Sequence, residues 1–180
     1  MKIKSSLNVF FIVCIIIFLL GILFIGTKNK SQKQNNTTTT NKSEVNEYYD
    51  ISEFDSIIGS DVNSFENDKI YVVLIGRKSC SFSKQIIDVF KELQGELKFK
   101  VQYLDLDKMI NSDGKVIDSN SYTALKQLDK ASDQTDVLND LGKTPMTLII
   151  KNKKIISSYL GYANKETMND ILKKAGLKKK

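Results

Sequence analysis

The chain has 180 residues, 27 basic and 21 acidic side chains, two cysteines, one proline, and neither histidine nor tryptophan. That length holds one ordinary domain with appendages. Without histidine there is no Ser-His-Asp triad, no imidazole general base and no His-ligated zinc or haem iron, and two cysteines build neither a three- or four-thiolate zinc site nor a disulfide-stapled miniprotein.

The net charge of +6 sits mostly at one end. Residues 1–47 carry Lys2, Lys4, Lys28, Lys30, Lys33 and Lys42 against Glu44 and Glu47, while a second lysine cluster, Lys173, Lys174, Lys178, Lys179 and Lys180, closes the chain. No broad basic face with interleaved aromatics is present, so nucleic acid is not an expected partner.

Residues 1–6 form a short basic flank. Leu7 to Ile25 is apolar apart from Asn8, and as a helix it would span roughly 28 Å, about the hydrocarbon thickness of a bilayer. The exit, Phe24-Ile25-Gly26-Thr27-Lys28, offers no good small-x-small cleavage site, and Cys14 lacks the small residues that precede a lipoprotein cysteine. Residues 7–25 are therefore expected to be an uncleaved, single-pass signal anchor, with a cleaved signal as the alternative. Lysines flank both ends, but the very short N-terminal flank favours an inside N-terminus and an extracytoplasmic C-terminal domain. Cys14 reads as a small apolar residue in that helix rather than a palmitoylation site. Residues 26–47 contain one large apolar residue, Val45, and the run Thr37 to Thr40. Such a stretch cannot bury enough surface to fold and should be a solvated tether of roughly 25–30 Å. Its Asn-x-Ser/Thr triplets, at Asn35, Asn36 and Asn41, are what an Asn/Thr-rich tract produces by chance.

Residues 48–180 are globular in composition. Tyr48 to Ile51 is expected to be a short strand, followed by a brief helix from Ser52 to Ile58 with Asp55 in its first turn. Lys69 to Ile75 is a nearly continuous β-branched run, the mark of a strand buried on both faces. After the turn Gly76 to Ser79, Phe82, Ile86, Val89, Phe90 and Leu93 recur at helical spacing from Cys80 to a stop at Gly95. Phe99 to Leu106 should be a second buried strand, completing a parallel βαβ unit. Asn111 to Gly114 marks a turn, and the apolar residues from Tyr122 to Leu141 suggest one broken helix or two short ones. Met146 to Ile150 and Ile155 to Leu160 then form a hairpin, and a helix from Asn164 to Ala175 ends at Gly176, with lysines at its negative end.

From Lys69 the order is strand, helix, strand, helix, strand, strand, helix, with Cys80 opening the first helix and the lone proline, Pro145, just before the third strand. On Lys69–Ile75, on GRKSCSFSK at 76–84 and on KTPMTLIIKNKKIISSYLGY at 143–162, the chain resembles the thioredoxin-like family over roughly residues 50–175. The resemblance implies an α/β fold, a central mixed sheet flanked by helices, here preceded by a single transmembrane helix. It also implies that Thr144-Pro145 is a cis-proline loop lying against Cys80. More narrowly, Gly76-Arg77-x-x-Cys80 on a tethered domain resembles the bacteriocin transport accessory proteins.

Two departures bear on the chemistry. The family's CxxC is here Cys80-Ser81-Phe82-Ser83, and the buried acid six residues before the first cysteine is Leu74. Serine cannot resolve a mixed disulfide and Cys14 is placed in the bilayer, so the expected site is a monothiol. Cys80 is the nucleophile at a helix N-terminus, with Arg77, Lys78 and Lys84 adding positive charge. Ser83 and Pro145 complete the catalytic set, and Thr144, Ser81 and Phe82 border the substrate. No metal or cofactor is expected. Asp105 and Asp107 are solvated acids at a strand end rather than a cation site, and Tyr159 and Tyr162 either border a peptide groove or pack.

The reading is a membrane-anchored, extracytoplasmic domain of a bacterial, AT-rich genome, as the Lys-, Asn- and Ile-heavy composition suggests. It would exchange thiols and disulfides with secreted clients or capture them as mixed disulfides, binding extended segments by edge-strand pairing and needing an external thiol reductant. The alternative is a non-catalytic accessory module that presents a peptide to an exporter. A covalent dimer through Cys80 is a third possibility.

Overall fold

Strand β2 (Ile70–Gly76) forms the middle of the sheet, because its run of aliphatic residues buries side chains on both faces. It pairs in parallel with β3 (Val101–Asp105) and antiparallel with β4 (Met146–Lys151), placing Leu74 between Tyr103 and Thr147. Beyond β3 lies the short parallel strand β1 (Asp55–Ile57), and beyond β4 the antiparallel strand β5 (Lys154–Leu160), giving the order β1-β3-β2-β4-β5. Helices α1 (Ser81–Leu97), α2 (Ser119–Lys130) and α3 (Lys165–Lys174) complete a mixed sheet flanked by helices, the α/β arrangement that the thioredoxin-like resemblance implies. This computed structural model describes residues 49–132 and 137–178. The flank 1–6, the apolar segment 7–25 and the tether 26–47 lie outside the described residues. Among the described residues no helix is long and apolar enough to cross a membrane.

Two cores share the sheet. On one face Val72, Leu74, Val101, Tyr103 and Ile149 meet Ile86, Phe90 and Leu93 of α1 and Met168 and Leu172 of α3. On the other, Val73, Ile75, Leu104, Met146 and Leu148 meet Leu125 and Leu128 of α2 together with Val62 and Leu138 from short 3-10 turns and Met109, which follows one. Helix α3 is further tied to α1 by Lys165, which lies 2.7 Å from both Glu92 and Glu96.

The local punctuation explains where elements stop. Asp118 accepts from the Ser121 amide at 3.1 Å and Asn164 from the Thr167 amide at 3.0 Å, capping α2 and α3. Between β4 and β5, Asn152 and Lys153 both take positive φ (53° and 56°), the pair of left-handed residues that a two-residue type I′ turn requires. The hairpin is thus tighter than the four-residue connection expected.

Several expectations need correction. Residues 49–51 are not a strand, and 52–58 are not a helix; the strand is Asp55–Ile57, and a 3-10 segment, Gly59–Ser64, follows it. Helix α1 does not stop at Gly95, where an added Cβ would meet nothing. It runs to Leu97, which is buried, and Lys98 closes it in the left-handed conformation with its N–H bonded to the Gln94 carbonyl. The expected strand at 99–106 shortens to 101–105, because Leu106 begins another 3-10 turn. The segment 107–143 resolves into α2 and the separate 3-10 turn Val137–Asp140.

Strand directions bring the C-terminal ends of β1, β2, β3 and β5 and the start of β4 to one end of the sheet. That end carries Arg77 to Cys80, Asp105, Thr144-Pro145 and Tyr162. The type I′ turn lies at the opposite end.

Candidate functional site

Cys80 is the N-cap of α1. Its backbone is extended (φ −90°, ψ 117°), its N–H bonds to the Arg77 carbonyl at 3.1 Å, and its carbonyl accepts from Lys84 at 3.2 Å, the first bond of the helix. The thiol is half-buried. Across from it, the Thr144-Pro145 bond is cis, and the Cys80 Sγ lies 3.2 Å from the Thr144 carbonyl oxygen, to which the thiol donates. Pro145 is buried, and its carbonyl accepts from Gly161 at 2.8 Å, which fixes the loop to the end of β5.

Ser83, one turn after Cys80, is almost fully buried (1 % exposed) and its hydroxyl accepts from the Arg77 amide at 3.4 Å. Burial pushes the Cys80 thiol pKa up and is the largest single influence. The Ser83 hydroxyl, the Thr144 side chain and the Ser83 and Phe82 amides together outweigh it, and the thiol ends below its ordinary value. The Thr144 carbonyl pulls the other way, since it can hydrogen-bond only the protonated thiol.

The expected cations play a smaller part. Arg77 directs its guanidinium to the Asp107 carboxylate (3.2 Å) and the Ile110 carbonyl (3.1 Å), with Nε buried and unpartnered. None of Arg77, Lys78 and Lys84 is among the main influences on the thiol. The helix start expected to favour the thiolate does so through hydrogen bonds, and only the expected contribution of the three cations is missing. Ser81 and Phe82 are exposed beside Cys80, Phe82 to 55 %. The structure thus brings Cys80, Ser83 and Thr144 into contact, with Pro145 in the same loop as Thr144.

Leu74 is fully buried on β2, with no acid in its place. What lies close to this end of the sheet is a pair of tyrosines that sequence reasoning missed. The Tyr49 and Tyr103 hydroxyls are hydrogen-bonded to each other, and both abut Gly76. A Cβ there would lie 2.9 Å from the Tyr49 oxygen and 3.0 Å from the Tyr103 oxygen. Burial pushes the Tyr49 phenol up to about 12, and the negative charges of Asp105, Cys80 and Asp107 also oppose its ionisation. Burial, then Tyr49, drives Tyr103 higher still. No sequence signal marked Tyr49, because its role depends on long-range placement against β3.

Asp105 accepts from the Asp107 amide at 3.1 Å, and among the described residues no group of three or more metal-ligating side chains converges. Tyr159 packs against the α1-side core, and Tyr162 is exposed.

No protein-family model matches the chain, and no curated protein matches it. Among solved structures it is similar to a reduced thioredoxin pre-protein of Schistosoma mansoni, at 21 % identity and a TM-score of 0.47, over 68 % of this chain and 97 % of that one. It is also similar to thioredoxin f2 of Chlamydomonas reinhardtii, at 11 % identity and a TM-score of 0.48, over 70 % of this chain and 99 % of that one.

Proposed function

We propose that the chain is a membrane-anchored, extracytoplasmic monothiol protein that exchanges disulfides with secreted proteins or peptides, or holds them as mixed disulfides. The observation that carries this reading is the setting of Cys80. A half-buried thiol caps α1, faces the Thr144 carbonyl at 3.2 Å beside Pro145, and has its pKa lowered by Ser83, Thr144 and two backbone amides. Such a thiolate attacks one sulfur of a client disulfide and releases the other as a thiolate. With Ser83 where a second cysteine would stand, clearing the mixed disulfide requires an external thiol. The exposed Phe82 offers an apolar contact for the client beside the nucleophile.

The buried Leu74 and the serine at 83 favour a second reading, a non-catalytic accessory module for peptide export of the bacteriocin type. The two part at one experiment. In the full chain carrying Cys14→Ser, the rate of Cys80 alkylation by iodoacetamide is followed against pH. A midpoint below the free-cysteine value of about 8.5 supports exchange chemistry, and Cys80→Ser then abolishes client trapping. A midpoint at or above that value, with slow alkylation, overturns the exchange reading and leaves the binding module.

A further inference from the structure

Beside Cys80, on the flank of α1, lies a cleft of about 140 Å³. Its walls are Ser81, Lys84, Gln85 and Asp88 of α1 and, from the segment before β1, Tyr49 and Asp50. Ser81, which follows the nucleophile directly, is one of those walls, so one end of the cleft adjoins the cysteine turn. The volume is close to that of a cavity that holds one benzene, about 150 Å³. It suits a molecule of single amino-acid size and is too small for a tripeptide.

The charges in the cleft are of both signs. Lys91 and Asp50 satisfy each other at 2.8 Å, and Lys91 holds the Asp50 carboxyl well below the usual carboxylate range. Lys84 and Asp88, one turn apart, make no ion pair among the described residues. Moving away from Cys80 along α1, a ligand meets a cation and then an anion.

We infer that this cleft seats a small zwitterionic thiol, or its disulfide, with the carboxylate toward Lys84, the ammonium toward Asp88 and the sulfur at Cys80. The inference rests on the exchange reading and names the chemical class of its external thiol. In the oxidising direction the Cys80 thiolate attacks one sulfur of a symmetrical disulfide RSSR. The old S–S bond breaks, Cys80–S–S–R forms, and RS⁻ leaves to take a proton from water. In the reverse step a second RS⁻ attacks the R sulfur of that mixed disulfide, which frees the Cys80 thiolate and regenerates RSSR, so electrons balance without another oxidant.

The test uses the full chain with Cys14→Ser, so that Cys80 is its one thiol. Its rates with cystine (zwitterionic), cystamine (cationic) and dithiodipropionate (anionic) are measured by mass spectrometry. Each is divided by the rate of the same disulfide with N-acetylcysteine, which removes leaving-group differences. Cystine should be ahead of both by roughly three- to ten-fold, the scale of two exposed ion pairs. Lys84→Met should remove its lead over cystamine, and Asp88→Asn its lead over dithiodipropionate. Equal normalised rates, or a cystine preference that survives both substitutions, overturn the cleft while leaving Cys80 an exchanging thiol. Failure to react with any of the three overturns the exchange reading itself. Should Lys84→Met not fold, Asp88→Asn alone decides.

Discussion

The two faces of the sheet bury comparable aliphatic cores but treat polar groups differently. Under α2, the buried Ser132 hydroxyl donates to the Leu128 carbonyl at 2.7 Å and accepts from the Ile155 amide at 2.6 Å, while Asp129 accepts from the Leu138 amide. These side chains serve backbone groups that would otherwise be orphaned in the interior. Under α1, the polar atoms gather toward the thiol end: the Tyr49–Tyr103 pair, the Ser83 hydroxyl and, beside Leu74 on β4, a Thr147 hydroxyl that is buried without a partner. Under α2 the buried hydroxyl of Ser132 stitches backbone; under α1 the tyrosine hydroxyls are left to one another and that of Ser83 sits beside the sulfur.

That contrast can be broken by experiment. The largest effects come from gutting each core. Phe90→Ala should cost about 3–5 kcal/mol and Leu125→Ala about 2–5 kcal/mol by urea denaturation, yet only Phe90→Ala should shift the pH profile of Cys80 alkylation in the folded protein. A shift of equal size in Leu125→Ala would show that the faces are not separable. Next, Gly76→Ala forces a methyl to within 3.0 Å of both tyrosine hydroxyls and should cost about 1–3 kcal/mol, read from the same midpoint. Alkaline titration sharpens the comparison from the tyrosine side. Tyr49 binds its proton more tightly folded than unfolded. Its stabilising contribution is therefore complete below pH 10 and fades as pH rises toward about 12; Tyr49→Phe should flatten this part of the stability curve. Ser83→Ala removes a hydrogen bond that favours the thiolate, so the alkylation midpoint should rise, with a stability loss of about 0.5–1.5 kcal/mol. Smallest in stability is Phe82→Ala, within about 0.5 kcal/mol because the ring is exposed, and its effect should appear only as weaker capture of a disulfide-bearing client peptide.

Local pattern made much of this fold legible. The apolar run 70–76, the spacing Ile86, Phe90, Leu93, the Asn164 cap and the lysines closing α3 each announce themselves within a dozen residues, and so does the lone proline beside the cysteine. What failed needed partners far along the chain. Strand β1 is three residues, Asp55-Ser56-Ile57, too short for alternation to show, and exists because it pairs with Gln102 to Leu104. Gly95 looked like a stop, but the helix is held through it by Leu97 dipping into the core. Arg77 looked like a thiol-activating cation until Asp107 and Ile110 claimed its guanidinium. The cleft could not be read from sequence at all, since Tyr49 and Asp50 reach its wall from a segment some thirty residues before α1. The segments 7–25 and 26–47, expected to be an anchor and a tether, lie outside the described residues.

The unequal lengths of the ladders have a kinetic consequence. The β4–β5 hairpin closes across two residues, whereas Asp55 reaches Gln102 from 47 positions away for the sake of three paired residues. Closing that long loop costs entropy that only three paired residues are there to repay, whereas β2 and β4, farther apart in the chain, are joined by six. The stretch from Tyr49 to Ile57 is accordingly the piece to dock last and to detach first by sub-global opening, and its amides should exchange with deuterium ahead of those of β2. Each such excursion carries Tyr49 and Asp50 away from α1, leaving the cysteine turn in place with one flank briefly unroofed.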